Sequence, residues 1–349
     1  MPAEPSLYRP IRVGGLELSG NLFLAPVAGY SDRAFRSLCR EYGASFTYTE
    51  MVSSEALTRG SGKTEELLLR AENETEYAVQ IFGGDEGRMA DAARMVIERA
   101  RADCVDINAG CPVPKIVKTG AGSALTRDTE RLYAITRAVV GAAREASASL
   151  GRPEVPVTVK FRSGWDDSSL SWKEAARAAI EGGAAAITLH PRTRAQGYEG
   201  KAHWEHLAEL SSLVRATNPD IPVFGSGDLF TPEAARDMLI QTSCDAVMFA
   251  RGAMGNPFIF AQAKELLLTG DYGEIPAIER MAAGWRELRS LVKDFGEQKA
   301  CRDMRKRFTA YSKGIEGGAL LRSELVTAST EADYRGILAR YCLLPESAG

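Results

Sequence analysis

Eight short apolar runs, each followed by a turn and a segment of helical period, predict an α/β fold. Two further observations narrow it to a (β/α)8 TIM barrel followed by a small all-helical C-terminal domain. The runs are nearly continuous in apolar residues, as parallel strands covered on both faces are. Strand signals then stop after "GNPFIF" (255–260), while helical ones continue. An open doubly wound sheet is the structural rival, but eight units with no G-x-G-x-x-G after the first strand count against it.

The strands are read at "NLFLAP" (21–26), "SFTYTEMV" (45–52), "YAVQIFG" (77–83) and "DCVDINAG" (103–110). They continue at "VPVTVKFR" (155–162), "AAAITLHPR" (184–192), "IPVFGSGD" (221–228) and "CDAVMFAR" (244–251). Between them, segments such as "GRMADAARMVIERARA" and "WKEAARAAIEGGA" repeat apolar residues every three or four positions, the spacing of an amphipathic helix. The glycines and proline of "LLTGDYGEIP" (267–276) read as a linker. The barrel is therefore expected over residues 1–265 and the helical domain over 275–349, interrupted at "GIEGGA".

Composition excludes several classes. The 349 residues are 45% hydrophobic and 26% charged, ordinary for a soluble globular chain. No apolar run approaches the roughly 18 to 20 residues of a membrane span, and "MPAEPSLYRP" lacks a secretion signal. The six cysteines have no paired spacing and read as free thiols in a reducing cytoplasm. Three histidines are too few for a multi-histidine metal site; His203 and His206 in "HWEH" share a helical face but find no further ligands. No metal is expected. Net charge is −3, yet residues 275–349 carry 13 Lys and Arg against 10 Asp and Glu. A basic tail on an acidic body hints at a surface facing a polyanion.

In such a barrel, reactive groups gather where the strands end. Those positions are Pro26, Val27 and Ala28; Glu50; Gln80; Asn108 and Cys111; Lys160 and Arg162; His190 and Arg192; Ser226, Gly227 and Asp228; Ala250 and Arg251. "GSGD" (225–228) and "ARGAMGNP" (250–257) follow the last two strands. Their glycines let backbone N–H groups approach an anion, and Arg251 adds a positive charge, the usual phosphate position of a barrel. Lys160 is open to three roles: a Schiff base, a partner for a ligand's polar ring edge, or a salt-bridged core lysine. Cys111 sits between Gly110 and Pro112 on a turn that leaves its thiol accessible. It reads as a nucleophile if His190 serves as its base, as a proton donor, or as an inert loop thiol.

The motifs "APVAGYSDRAFR", "VQIFG", "DINAGCPVPKIVKTGAGSAL", "VTVKFRSGW", "LHPRTRAQGY", "VFGSGDL" and "FARGAMGNPFIF" together resemble the tRNA-dihydrouridine synthases. The likeness extends through "CRDMRKRFTAYSKGIEGGALLR", and it is nearest to the bacterial branch that ends in a helical RNA-binding domain.

The resemblance implies a cytoplasmic, monomeric enzyme that binds FMN, takes electrons from NADPH and reduces the C5–C6 double bond of particular uridines in tRNA. Carried over by motif, Pro26, Val27 and Ala28 would line the flavin, and Gln80 and Lys160 would contact its polar edge. His190, Ser226, Gly227, Asp228, Ala250 and Arg251 would complete the flavin and phosphate site. Cys111 would protonate C5 of uracil as hydride reaches C6, while Asn108, Lys115, Arg162 and Tyr198 would hold the flipped base. Ala109 and Val27 stand where relatives often carry methionine, and Ser226 where asparagine is common; none of these changes removes a required charge. In the tail, Lys299, Arg302, Lys306 and Lys313, flanked by Arg305 and Arg307, would form a cationic face for tRNA phosphates.

Overall fold

A computed structural model describes residues 6–344. Eight parallel strands follow one another as expected: β1 (Leu22–Leu24), β2 in two pieces (Phe46–Thr47 and Val52–Ser53), β3 (Ala78–Phe82) and β4 (Cys104–Ala109). Then come β5 (Val157–Gly164), β6 (Ala186–Thr193), β7 (Val223–Ser226) and β8 (Ala246–Phe249). Each pairs with its sequence neighbour, and β8 pairs with β1. The two pieces of β2 form the two edges of the curled sheet, and a parallel bridge from Tyr48 to Ala78 joins them. The second strand is thus broken where an unbroken one is expected over 45–52. Its ladder is replaced by a side chain: the Gln80 amide donates to the Thr49 hydroxyl at 3.1 Å, which itself donates to the Glu50 carbonyl at 2.8 Å.

Seven helices of eight residues or more clothe the strands: α1 (Arg33–Glu41), α2 (Glu86–Glu98), α3 (Thr129–Ser149), α4 (Trp172–Glu181), α5 (Trp204–Thr217), α6 (Pro232–Thr242) and α7 (Ile259–Thr269). Asp32, Asp85, Asp128 and Thr231 each accept a backbone amide at a helix start, satisfying donors the helix cannot.

Strand alternation decides the site. One parity of strand residues, including Val79, Val105, Val159, Ile187 and Val247, packs outward against the helices. The other parity packs inward: Phe23, Phe46, Tyr48, Ala78, Cys104, Ala186, Phe224 and Ala246 fill the barrel. A short antiparallel hairpin (Ile11–Val13 with Leu16–Leu18) adds Ile11, Val13 and Leu18 to that inner core. Two residues further along β3, β4, β6 and β7, the same inward parity becomes polar, at Gln80, Asp106, Thr188 and Ser226.

The chain continues into α8 (Ala277–Phe295), α9 (Glu297–Tyr311), α10 (Gly318–Leu325) and α11 (Glu331–Arg340). These helices enclose their own core around Trp285, Met304, Phe308, Tyr311 and Tyr334, joined by Ala34 and Leu38 from α1 and by Phe258. Arg33–Asp294, Arg286–Glu41 and Lys299–Glu66 ion pairs cross the same contact. Among the described residues no helix is long and apolar enough to cross a membrane.

Candidate active site

A cavity of about 420 Å³ opens where the strands end. It is lined by Pro26, Val27, Ala28, Gln80, Asn108, Cys111, Lys160, Arg162, His190, Tyr198, Ser226, Gly227, Asp228, Ala250 and Arg251. Gln80, Asn108, Lys160, Arg162, His190 and Ser226 come from the inward parity at successive depths, because the parallel register sets Asn108 beside Lys160 and Arg162 beside His190, and the others from the loops that follow. Lys115 is not brought there. Pro114 opens a one-turn helix that buries Ile116, and Lys115 beside it faces solvent.

The floor is a directed hydrogen-bond chain. Thr158 donates to one oxygen of Asp106 at 2.6 Å, and Gln80 Nε2 donates to the other at 2.6 Å. The Gln80 carbonyl then accepts Asn108 Nδ2 at 2.8 Å, leaving Asn108 Oδ1 to accept the amides of Gly110 and Cys111 at 3.1 and 2.9 Å. Three of the hydrogen-bonding positions of Asn108 are therefore used inside the chain. Burial pushes the Asp106 carboxyl up to about 6. Lys160 lies above this carboxylate, and burial, aided by nearby Arg162, pushes its ammonium down to about 8. Among the described residues the Lys160 ammonium has no hydrogen-bond or ion-pair partner, which removes the salt-bridged core reading.

Cys111 is half-buried, and loss of water raises its thiol above the ordinary range. His190 shares the cavity, but burial and the surrounding Lys160, Arg162, Arg192 and Arg251 cations hold its imidazole neutral, well below its usual pKa. Its Nε2 faces Arg192 at 3.4 Å, not the thiol. A thiol without a base stays protonated, which suits an acid better than a nucleophile.

The loops after β7 and β8 bring Asp228 and Arg251 to the cavity. Asp228, at φ 57°, is clamped by Arg192 at 2.7 and 2.8 Å and accepts the Ala202 amide at 2.7 Å. Its carboxylate is thus taken up inside the protein, and its nearest Arg251 contact is a longer 3.5 Å. That pair is the one ion pair of Arg251 among the described residues, and its guanidinium also lies near the rings of Tyr198 (4.7 Å) and Phe230 (4.9 Å). Gly227 has φ 112°, and a Cβ there would meet His190 Cδ2 at 3.0 Å, so the backbone lies tight against the imidazole. Arg162 is held by the carbonyls of Gly110, Thr193 and Gly197 at 3.0, 2.9 and 2.8 Å, which ties the thiol loop to strand β5.

Sequence reasoning did not find Met51, Met248, Phe230 or Met254 in the lining. Apolar side chains leave no chemical signature, although Met248 follows from the inward parity of β8. It also gave no role to Arg192, Asp106 or Glu50. Asp106 was detectable, since it lies between Cys104 and Asn108 on the inward side of β4.

Among the described residues no cluster of ligating side chains could hold a metal ion. A planar ring carrying acceptors and a phosphate does fit. It meets an unpartnered ammonium at Lys160, a cation available at Arg251, and a glycine backbone at Gly227 where a side chain would intrude.

Comparison with known proteins places this geometry. The barrel resembles a solved variant of NCR from Zymomonas mobilis, with a TM-score of 0.52 and 18% identity over 78% of this chain and 94% of that one. The 6-hydroxypseudooxynicotine amine oxidase (HisD) of Pseudomonas geniculata N1 gives a TM-score of 0.56 at 14% identity, covering 79% of this chain and 52% of that one. These likenesses concern the fold alone. In sequence, the chain is 52% identical to a probable tRNA-dihydrouridine synthase of Treponema pallidum, over 97% of this chain and 98% of that protein. It is 36% identical to tRNA-dihydrouridine synthase B of Pseudomonas aeruginosa, over 90% of each chain. The family described as dihydrouridine synthase (Dus) matches residues 23–344, from the first barrel strand to the end of the helical tail. With both the barrel site and the tail inside that match, the chain belongs to the dihydrouridine synthase family.

Proposed function

We propose that this enzyme binds FMN in the barrel cavity and uses electrons from NADPH to reduce particular uridines of tRNA to 5,6-dihydrouridine, with Cys111 as the acid. One observation carries the reading: a thiol kept protonated lines the same cavity as Lys160, whose ammonium has no hydrogen-bond or ion-pair partner among the described residues. When bound, reduced FMN supplies the hydride that uracil C6 receives.

The chain's own residues do the rest. Lys160 and Gln80 would hold the polar edge of the flavin, with Pro26, Val27 and Ala28 against its ring. Arg251, Ser226 and the Gly227 backbone would take its phosphate. Asp228 does not bind the anion in this reading; it clamps Arg192 and keeps the loop in shape. Cys111 Sγ delivers its proton to C5 of the uracil. The elevated thiol pKa supports this role, because the acid form then persists at neutral pH. The second Nδ2 hydrogen of Asn108, directed at the weak acceptor Met51 Sδ at 3.8 Å, would turn to the base, and Tyr198, 60% exposed at the mouth, gives a flipped uracil a surface to stack on. The remaining NH groups of Arg162 would face the base carbonyls.

The helical tail would receive the tRNA phosphates through Lys299, Arg302, Lys306 and Lys313. Arg302 and Lys313 are exposed and have no side-chain partner among the described residues. Arg307 does not belong to that face: it is 2% exposed and ion-paired to Asp32 and Glu287. Arg305 is half-buried and already donates to the Ala328 carbonyl at 3.1 Å. Of the two, only Arg307 lies on the buried side of α9.

The test is direct. Purified protein should be yellow with FMN, and its reduced flavin should be oxidised by tRNA lacking the modification. Cys111→Ala should keep the flavin and tRNA binding while the reduction slows by about 10²- to 10⁴-fold, the usual contribution of a positioned acid. Full activity in that variant would remove Cys111 from the mechanism, and a protein that takes up no FMN would end the flavin reading.

A further inference from the structure

Helix α9 touches the cavity from behind, at two of the loops that form its wall. In the loop after β8, Gly255 has φ 66°, and a Cβ there would lie 2.5 Å from the carbonyl carbon of Ala310. The two backbones are in direct contact, with no room for a side chain. In the loop after β1, Lys306 Nζ donates to the Gly29 carbonyl at 2.6 Å. The amide of the same glycine donates to Glu50 at 2.5 Å. One residue on, the Arg307 guanidinium lies 4.6 Å from the centre of the Tyr30 ring and pairs with Asp32, the cap of α1.

Gly29 has no side chain to anchor it and takes φ 69°, in the left-handed region. Ala28 beside it is exposed as well. The peptide groups of this glycine are therefore fixed by two polar contacts, one to a barrel carboxylate and one to the tail's ammonium. Directly before it, Pro26, Val27 and Ala28 form a wall of the cavity.

We propose that Lys306 is a positioning residue for the cofactor: from α9 it pins the Gly29 carbonyl and so sets the wall formed by residues 26–28. The proposal rests on the FMN reading above. It makes the tail a structural part of the cofactor site as well as a surface for RNA. A charge-assisted hydrogen bond is among the stronger contacts available to an exposed loop, and its loss leaves the Gly29 peptide held by the Glu50 contact alone. Because Lys306 is exposed, its substitution leaves the packed cores untouched.

The test uses the full-length holoprotein without RNA. Each protein is diluted and free FMN is followed by its fluorescence, for the wild type and for Lys306→Met, Lys306→Arg and Lys293→Met. Lys293 is an exposed lysine on α8 and controls for loss of charge. The expected result is roughly tenfold faster FMN release for Lys306→Met, with a changed visible flavin spectrum. Lys306→Arg should recover most of the retention, and Lys293→Met should match the wild type. Release from Lys306→Met at the wild-type rate would overturn the proposal, as would equal acceleration by Lys293→Met. A wild-type protein that carries no FMN would refute the flavin reading itself, a result that the wild-type sample alone reveals.

Discussion

Asn108 Oδ1 accepts the backbone amide of Cys111 at 2.9 Å, so the last inward residue of β4 orients the loop that presents the thiol. The direction of this bond is set two residues deeper on the same strand, at Asp106. An ionised Asp106 can only accept, so Gln80 must offer it Nε2, and Gln80 is left with its oxygen for Asn108 Nδ2. Asn108 then has its own oxygen for the two loop amides. A buried carboxylate thus fixes the orientation of two amides and, through them, the position of an acid.

Asn108→Ala removes the link and leaves the thiol itself intact. The expected outcome is single-turnover reduction of tRNA slowed about a hundredfold, the effect of a small misplacement of a reacting group. FMN content should be unchanged, which distinguishes a displaced acid from a damaged cofactor site.

Lys160 gives a pH dependence with a definite sign. Its ammonium loses its proton near pH 8, lower than an unfolded lysine at about 10.5. FMN affinity should therefore be constant below about pH 7 and weaken as pH rises through 8. In the flavin-free protein the stability effect runs the other way. Between pH 8 and about 10 the unfolded chain binds the proton and the folded one does not, so this residue's contribution to stability rises with pH across that window. Both slopes should vanish in Lys160→Met, as read by FMN titration and by the difference in thermal melting.

Gly227→Ala should destabilise the protein by about 1–3 kcal/mol, since the residue must hold a positive φ and its Cβ must push His190 aside. Thermal melting measures the cost. FMN retention should fall with it, because the displaced imidazole lies in the cavity lining.

Arg307→Met leaves Asp32 with its pair lost and Glu287 buried without its cation. Burial already pushes the Glu287 carboxyl above its usual range, and the guanidinium is what opposes that shift. Removing one member of such a pair costs about 3–5 kcal/mol, to be read as a loss of denaturant-midpoint stability. Replacing Glu287 with Gln in the same background should recover part of it.

The barrel was legible in the sequence because its signal is local. Each strand is a continuous apolar run and each following helix repeats its apolar residues every three or four positions, so neither requires knowledge of the rest of the chain. The candidate site was legible for a related reason: parallel strands all end on one face, and the polar residues at those ends mark it. Cys111 announced itself by lying between Gly110 and Pro112, where a packed thiol has no place. Lys115 came from the family resemblance alone; it shares the motif of Cys111 but falls on the outer side of a one-turn helix.

What tertiary structure alone decided is which charges are already spent. In sequence, Asp228 and Arg307 look like Arg251 and Lys313: ionisable residues in a loop or on a helix. Only folding brings Arg192 to Asp228, and Asp32 and Glu287 to Arg307, from 36, 275 and 20 residues away. Partners at such separations leave no periodicity, because ion pairing depends on distance in space and is blind to distance along the chain. Among the described residues the fold likewise gave the Lys160 ammonium no hydrogen-bond or ion-pair partner, although the Asp106 carboxylate lies near enough to act on it.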